Sequence, residues 1–356
     1  MSSIQKLEIE ITELFKQKKY SKVIFEITSA TEEKERSAFL CNILGLSRIA
    51  NNEKNKEALI LAIKDFKFGY LKEKNTIHAI DGLANLITAS VFLIDVEKNF
   101  DFDFSEIFNF YKSSEQYCVN HRPINLAMTM IYRRLNDAKK IIFHLNRLID
   151  SKKFNAIDLC NYGYWQCFDK EWGQSDFFNY GKFLDQNLKV IPKNQLIEIS
   201  KEAGLKIRIG FLSSDILWGH SITYFLKTVL SYYDKNKFEI VLILSNSKED
   251  HSTANFKNLV DETINISKLN NVDAVNKVRE LKLDFVIDLM GYTSTQRIEL
   301  FKNRMARKQI IWMGYCNTTG LENMDYLIAD PNLINSSEEK FYSEKVIYLP
   351  KIWNTH

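Results

Sequence analysis

Apolar positions recur at helical spacing from residue 3 to about residue 190. Ile4, Leu7, Ile11, Leu14 and Phe15 follow i, i+3, i+4 steps, as do Leu40, Ile43 and Leu44, then Leu59, Ala62, Ile63 and Phe66. Strand-like alternation is nearly absent there, and the breaks are polar: Asn51-Asn52, residues 72–75, His121-Arg122-Pro123 and Ser151-Lys152-Lys153. The rhythm changes near Gly204. Residues 206–212 form a short β-branched run ending in Ser213-Ser214-Asp215, and residues 224–233 read as an amphipathic helix. Phe238–Leu244 is a second apolar run, residues 283–290 (LDFVIDLM) a third that stops at Gly291, and residues 309–313 (QIIWM) a fourth that stops at Gly314. Helices are expected over 272–281 and 296–302, and 324–328 and 346–349 are candidates for two more strands. Such apolar strands alternating with helices predict βαβ units and a parallel sheet. Ligands then bind beyond the carboxyl ends of the strands. The loops there read SSDILWGHS, SNSKEDHS, GYTSTQ and GYCNTTG. Their hydroxyls and small residues suit a sugar or phosphate site, and equally suit ordinary turn chemistry.

The helical half carries a degenerate repeat. Cys41 to Phe66 holds Leu44-Gly45 in one helix and Ala58, Ala62 and Phe66 in the next, close to the pattern of tetratricopeptide repeats. In that pattern small residues let paired helices approach and an aromatic ring fills the gap. Gly82 stands 37 residues after Gly45, against an ideal period of about 34. A plain helical domain is the alternative.

Composition narrows the class. A length of 356 residues suits two to three domains. A net charge of +3 is too small to drive nucleic-acid binding by bulk electrostatics, so no nucleic acid is expected as a partner. No run approaches the roughly 18 apolar residues of a membrane helix, and the first residues lack an apolar leader core. The expectation is a soluble, cytoplasmic protein with no membrane partner. The five cysteines form no C-x-x-C pair, which argues against a disulfide framework and a structural zinc site. There is no G-x-G-x-x-G, no P-loop and no G-x-S-x-G elbow. His220 and His251 lie 31 residues apart with no H-E-x-x-H, so no metal site is expected.

Four stretches in order carry a resemblance: RIGFLSSDILWGHSITYFL from Arg208, DLMGYTSTQRIELF from Asp288, QIIWMGYCNTTGLENMDYLIAD from Gln309, and YSEKVIYLP from Tyr342. Together they resemble the first catalytic lobe of O-linked N-acetylglucosamine transferases and SPINDLY-type O-fucosyltransferases, a family that places tetratricopeptide repeats ahead of the catalytic region. The similarity is strong from Lys206 to Pro350 and loose over the first 100 residues. Three departures stand out: one extra residue between Asp215 and His220, Cys316-Asn317 where the family has a proline, and Arg304 to Lys308 in place of a proline-rich segment.

The resemblance implies a helical, tetratricopeptide-like region over 1–195 with linking helices. One Rossmann-like lobe of a glycosyltransferase-B fold then spans 204–356. The family's second lobe, which holds most of the nucleotide-sugar, would begin where this chain stops. The chain is therefore expected to be the amino-terminal portion of a longer enzyme and inactive alone. The implied reaction moves a sugar to Ser or Thr hydroxyls with inversion, without cofactor or metal, from a nucleotide-sugar donor. That donor is UDP-GlcNAc, with GDP-fucose as the alternative. His220 matches the family's active-site histidine and Asp288 an acidic position. Tyr292 and Thr293 match the pair that lines the sugar or acceptor pocket. Met313, Gly314 and Tyr315 match the segment that closes on the sugar, and Thr318 and Thr319 follow as a hydroxyl-bearing turn. The bland readings are a helix-flanking histidine for His220, a loop-fixing strand end for Asp288 and a simple turn for Gly314. Lys302, Arg304, Arg307 and Lys308 read as a solvated helix end rather than a phosphate site. His78, His144 and His251 read as structural or exposed, and Trp165 and Trp172 as glue between the halves. Acceptor proteins would bind through the helical region, and a homodimer fits the repeat. The rivals are a helical scaffold with a non-catalytic lobe and an unrelated nucleotide-binding α/β enzyme.

Overall fold

Most helices of the first half start where a polar side chain satisfies a free N–H group of the first turn. Ser2 caps α1 (Ser3–Lys16) and Ser37 caps α3 (Ala38–Asn51), with α2 (Tyr20–Ala30) between them. Asn55 caps α4 (Lys56–Lys72) and Thr76 caps α5 (Ile77–Glu97). After α6 (Ser105–Ser113) and α7 (Glu115–Cys118), His121 caps α8 (Arg122–Arg134), with Pro123 in its first turn, and Asp137 caps α9 (Ala138–Asp150). A computed structural model describes residues 2–52, 55–98, 102–191, 206–293 and 297–354. The expected domain junction at 195–204, part of the GYTSTQ loop and the terminal His356 lie outside the described residues.

The chain divides into two compact units, Met1–Phe154 and Asn155–His356. In the first, consecutive helices pack as neighbours from α1 to α5, and α8 packs with both α5 and α9. The repeat pattern has a direct physical basis. A Cβ at Gly45 on α3 would lie 2.5 Å from the ring of Phe66 on α4, so the glycine makes room for the buried aromatic. His144 is buried as expected, its Nδ1 2.9 Å from Asn125 Oδ1, and burial lowers its pKa to about 3. One expectation needs correction. The helix Ile77–Glu97 is long and apolar enough to cross a membrane, with 67% of its most apolar window buried inside the unit. Its apolar residues are spread around the helix because α3, α4 and α8 cover it on several sides.

The second unit opens with α10 (Ala156–Gln166) and α11 (Gln174–Asn187). Their periodicity assigns both helices to the helical region, but they fall in the second compact unit, against its later helices and loops. Strand β1 (Ile207–Ser213) leads to α12 (Ser221–Tyr232), β2 (Phe238–Leu244), α13 (His251–Lys257) and β3 (Glu262–Asn265). Then come α14 (Asn271–Glu280), β4 (Phe285–Asp288), α15 (Ile298–Phe301), β5 (Lys308–Ile311), β6 (Tyr326–Ala329) and β7 (Lys345–Tyr348). All seven strands are parallel, in the order β3-β2-β1-β4-β5-β6-β7. This is a Rossmann-like lobe whose strand order reverses between β1 and β4, where such sheets open a crevice.

Strand alternation builds the layers. Ile240, Leu242 and Leu244 of β2 join Phe211, Ile287 and Ile310 on one face, under Ile222, Leu226 and Leu230 of α12. Val241 and Ile243 are equally buried on the opposite face. The apolar pattern gives no sign of β3 and leaves α13 as a loop.

α10 and α11 are fixed to the strand-end loops by close packing. A Cβ at Gly163 would press on the rings of Tyr180 and Tyr292. Gly320, at φ +73°, lies so near Gly181 of α11 that its Cβ would stand 2.0 Å from the Gly181 carbonyl carbon. Only glycine tolerates both the backbone angle and the contact. Trp172 packs on Tyr162, Phe177 and Tyr180, and Trp165 on Tyr164 and Phe168, all within this unit.

Candidate functional site

The loops beyond β1 and β4 meet at the crevice. β1 ends in Ser213, and the chain turns through Asp215 and Trp218 to His220, the N-cap of α12. The His220 Nδ1 accepts the N–H of Ile222 at 3.4 Å, and its Nε2 stands 4.0 Å from Asp215 Oδ2. A neutral ring in this pose carries its proton on Nε2, facing the carboxylate. The side chain is 47% exposed, so it is both the helix cap of the bland reading and a group that solutes can reach. To accept a proton at Nε2 the ring must shift tautomer and give up the cap contact.

Asp288 ends β4 and is 1% exposed. Its Oδ1 accepts the N–H of Met290 at 2.9 Å and its Oδ2 that of Gly291 at 3.1 Å. Burial pushes its carboxyl up to about 7; the two N–H donors oppose the rise and the Asp215 charge adds to it. Asp288 thus fixes the turn after β4, and its exchangeable proton lies beneath the crevice rather than in it. Two sulfur contacts tie the neighbouring loops together: Ser214 N–H donates to Met290 Sδ at 3.1 Å, and Ser245 Oγ to the same atom at 3.8 Å.

The expected pocket-lining residues divide into two groups. Thr293 is exposed, and its Oγ1 donates to the Met290 carbonyl at 2.6 Å. Met313 is half-buried at φ +65°, and Gly314 N–H donates to the Trp312 carbonyl at 2.8 Å. That bond closes a three-residue turn centred on a non-glycine residue with positive φ, a strained form. A Cβ at Gly314 would lie 2.1 Å from the Leu289 carbonyl oxygen, so the loop after β5 presses directly on the loop after β4.

The rest lie inside the protein, and here the expectation is corrected. Tyr292 is 1% exposed, stacks on Tyr315 at 4.5 Å between ring centres, and donates its hydroxyl to the Thr319 carbonyl at 2.6 Å. Tyr315 is likewise buried. Thr318 Oγ1 donates to Glu344 Oε2 at 2.7 Å, and Thr319 N–H to Glu344 Oε1 at 2.7 Å. The Thr319 hydroxyl adds a short bond to the same carboxylate, and Ser343 Oγ another at 3.2 Å. A buried carboxylate that gathers four donors holds the Thr-Thr-Gly turn rigid. These hydroxyls face Glu344, not a substrate, because a threonine with its one donor spent on a buried anion has none to offer. Glu344 and Asp215 were not singled out in the sequence. The Ser-Asp after β1 and the Ser-Glu before β7 are the only traces they leave there.

The basic cluster is structural. Lys302 pairs with Asp185 at 2.6 Å, Lys308 with Asp325 at 2.9 Å and Arg307 with Asp284 at 3.4 Å, and Arg304 also contacts Asp325.

Residues 184–355 match the model of Glycosyl transferase family 41. A 155-residue stretch is 30% identical to the probable UDP-N-acetylglucosamine–peptide N-acetylglucosaminyltransferase SPINDLY of Petunia hybrida, covering 42% of this chain and 16% of that protein. The UDP-N-acetylglucosamine–peptide N-acetylglucosaminyltransferase of Caenorhabditis elegans is 27% identical over 169 residues, 46% of this chain and 15% of that one. The match thus spans under a fifth of these relatives' length. Among solved structures, a mutant of the Thermobaculum terrenum O-GlcNAc transferase has the same fold. It superposes at a TM-score of 0.65 with 15% identity, over 90% of this chain and 59% of that one.

Proposed function

We propose that the chain is a glycosyltransferase of the O-GlcNAc transferase and SPINDLY type, a reading supported by its family 41 match over residues 184–355. From that premise we propose that it forms the helical region and first lobe of an enzyme that moves N-acetylglucosamine from UDP-GlcNAc to Ser or Thr hydroxyls of proteins. The observation that supports this most is the pairing of an exposed His220 with Asp215 at the point where the strand order reverses. In this reading His220 gives up its cap contact, takes the acceptor hydroxyl's proton at Nδ1 and passes its Nε2 proton to Asp215, and alignment of that hydroxyl supplies much of the rate. Thr293, Met313 and Gly314 border the sugar. Tyr292, Tyr315, Thr318 and Thr319 act one layer back, as the rigid wall that keeps those loops in register. Asp288 holds the turn beneath them. The reaction runs without a metal ion. Acceptor proteins are bound by the helical unit, and the setting is cytoplasmic.

The test is transfer of radiolabel to protein acceptors by the full product of the gene, with UDP-GlcNAc and GDP-fucose offered in parallel. Label from UDP-GlcNAc that falls at least about a hundredfold in His220→Ala is the expected result, the scale of a lost proton-transfer group. Label from GDP-fucose alone replaces the donor. Label from neither overturns the reading.

A further inference from the structure

A groove opens beside His220 that the reaction as described does not use. It has a volume of about 320 Å³ and runs between α12 and α13. Its floor is Phe256 and Leu259, its walls are Trp218 and Tyr224, and its rim carries Lys227 and His251. Trp218 is 71% exposed and Tyr224 64%, an unusual outlay of aromatic surface on one loop and helix.

The groove is held in shape from below. Trp218 N–H donates to Asp250 Oδ2 at 2.7 Å, while Asp250 Oδ1 caps α13 through Thr253 N–H at 3.0 Å. The Trp218 ring leans on His251 with ring centres 6.0 Å apart. Gly219, at φ +80°, turns the chain between the groove wall and the helix cap. The same short loop therefore presents Trp218 to the groove and His220 to the crevice.

Size and charge select the occupant. The volume is at the small end for ligand sites, room for one or two side chains rather than a folded surface. Apolar floor and aromatic walls call for an apolar or aromatic side chain. Around the rim, Lys257 is paired with Glu249 at 2.5 Å, and Asp250 has its oxygens turned to N–H donors, which hold its pKa down. Lys227 makes no ion pair among the described residues, so the cation on offer is unspent. A carboxylate beside the apolar side chain completes the match.

We propose that this groove binds the acceptor polypeptide, taking an acidic residue about three residues from the hydroxyl presented at His220, with an apolar or aromatic neighbour. The spacing follows from geometry. Seven helical residues separate His220 from Lys227, about 10 Å of rise, and extended chain covers that in about three residues. The inference rests on the protein-acceptor reading above.

The experiment is fluorescence anisotropy of labelled serine peptides on the 356-residue chain. The third residue from the serine is Asp or Lys and its neighbour Phe or Ala. Wild type should bind the Phe-Asp peptide tightest. Trp218→Ala should weaken it about tenfold, the scale of a lost aromatic anchor. Lys227→Glu should turn the preference from Asp to Lys by a few-fold, the size of one exposed ion pair. Tyr224→Ala repeats the Trp218 test at a helix position, and thermal unfolding checks that each variant is folded.

Affinities blind to both the peptide series and the substitutions overturn the proposal. So does displacement of the peptide by free N-acetylglucosamine, which would make the groove a sugar site. A wild-type dimer that Trp218→Ala dissolves would make it an interface between copies, and also counts against it. Groove-dependent binding in a gene product that transfers no sugar supports the groove and sinks the transferase reading. Transfer indifferent to the groove variants does the reverse.

Discussion

The loops after β1 and after β5 look alike on paper, since both mix glycine, hydroxyls, aromatics and one polar anchor. In the folded chain they do opposite things. After β1, a Cβ at Gly219 would meet nothing within 4 Å, Trp218 stands in solvent and His220 is half exposed. After β5, Thr318 and Thr319 are at most 1% exposed, their hydroxyls spent on Glu344, and Gly314 and Gly320 touch backbone on two sides. One loop offers chemistry and the other holds it in place. The difference is burial, and hydroxyl content alone does not reveal it.

The comparison can be broken at its strongest point first. Gly314→Ala puts a methyl against the Leu289 carbonyl, which backbone cannot yield, and should cost more than about 4 kcal/mol or abolish folding. Soluble yield and thermal unfolding decide it, and a mild effect would mean that the β5 loop is far less constrained than its contacts imply. Glu344→Ala strands several buried donors and should cost about 3 kcal/mol; chemical denaturation measures it.

Asp288 gives a signature in pH. Its carboxyl is raised to about 7 in the folded chain, so the native state holds that proton more tightly than the unfolded one. The resulting stability is fully present below about pH 4 and lost as pH rises to about 7. Asp288→Asn should flatten that slope by as much as about 1.4 kcal/mol per pH unit, visible in denaturation series at several pH values. The smallest effect belongs to the open loop. His220→Ala should cost about 1 kcal/mol or less, the worth of a weak cap, while transfer collapses. A large loss of stability there would make His220 a second structural anchor and erase the contrast.

The architecture was readable where local pattern and tertiary burial agree. Ile240, Leu242 and Leu244 alternate with Val241 and Ile243 because both faces of β2 are covered, and that run marks a central parallel strand from sequence alone. Gly45 and Phe66 were readable as a repeat pair because the contact between them is local in sequence. Strand β3 was not: it is four half-covered residues, ETIN, at the sheet edge, with little to distinguish them from a turn. Nor was α13, a polar seven-residue helix. The allegiance of α10 and α11 to the lobe depends on Gly181 meeting Gly320, and two glycines so far apart in sequence give no sign that they meet. At the site, the residue types were readable but their depth was not. Tyr292, Thr318 and Thr319 fit a substrate-facing pattern, yet each spends its polar group on a partner inside the protein.

The helix Ile77–Glu97 has a consequence for synthesis. A ribosome releases this apolar segment before α8 exists, although α3 and α4 are already out to cover part of it. At about 5–20 residues per second, the stretch up to the end of α8 takes about 2–7 s to appear. For that interval the nascent chain displays a segment that membrane-targeting and chaperone systems would both read as theirs. Rare codons placed between α5 and α8 would lengthen the exposure, so the yield of folded protein should track the translation speed of that short stretch more closely than that of any strand in the lobe.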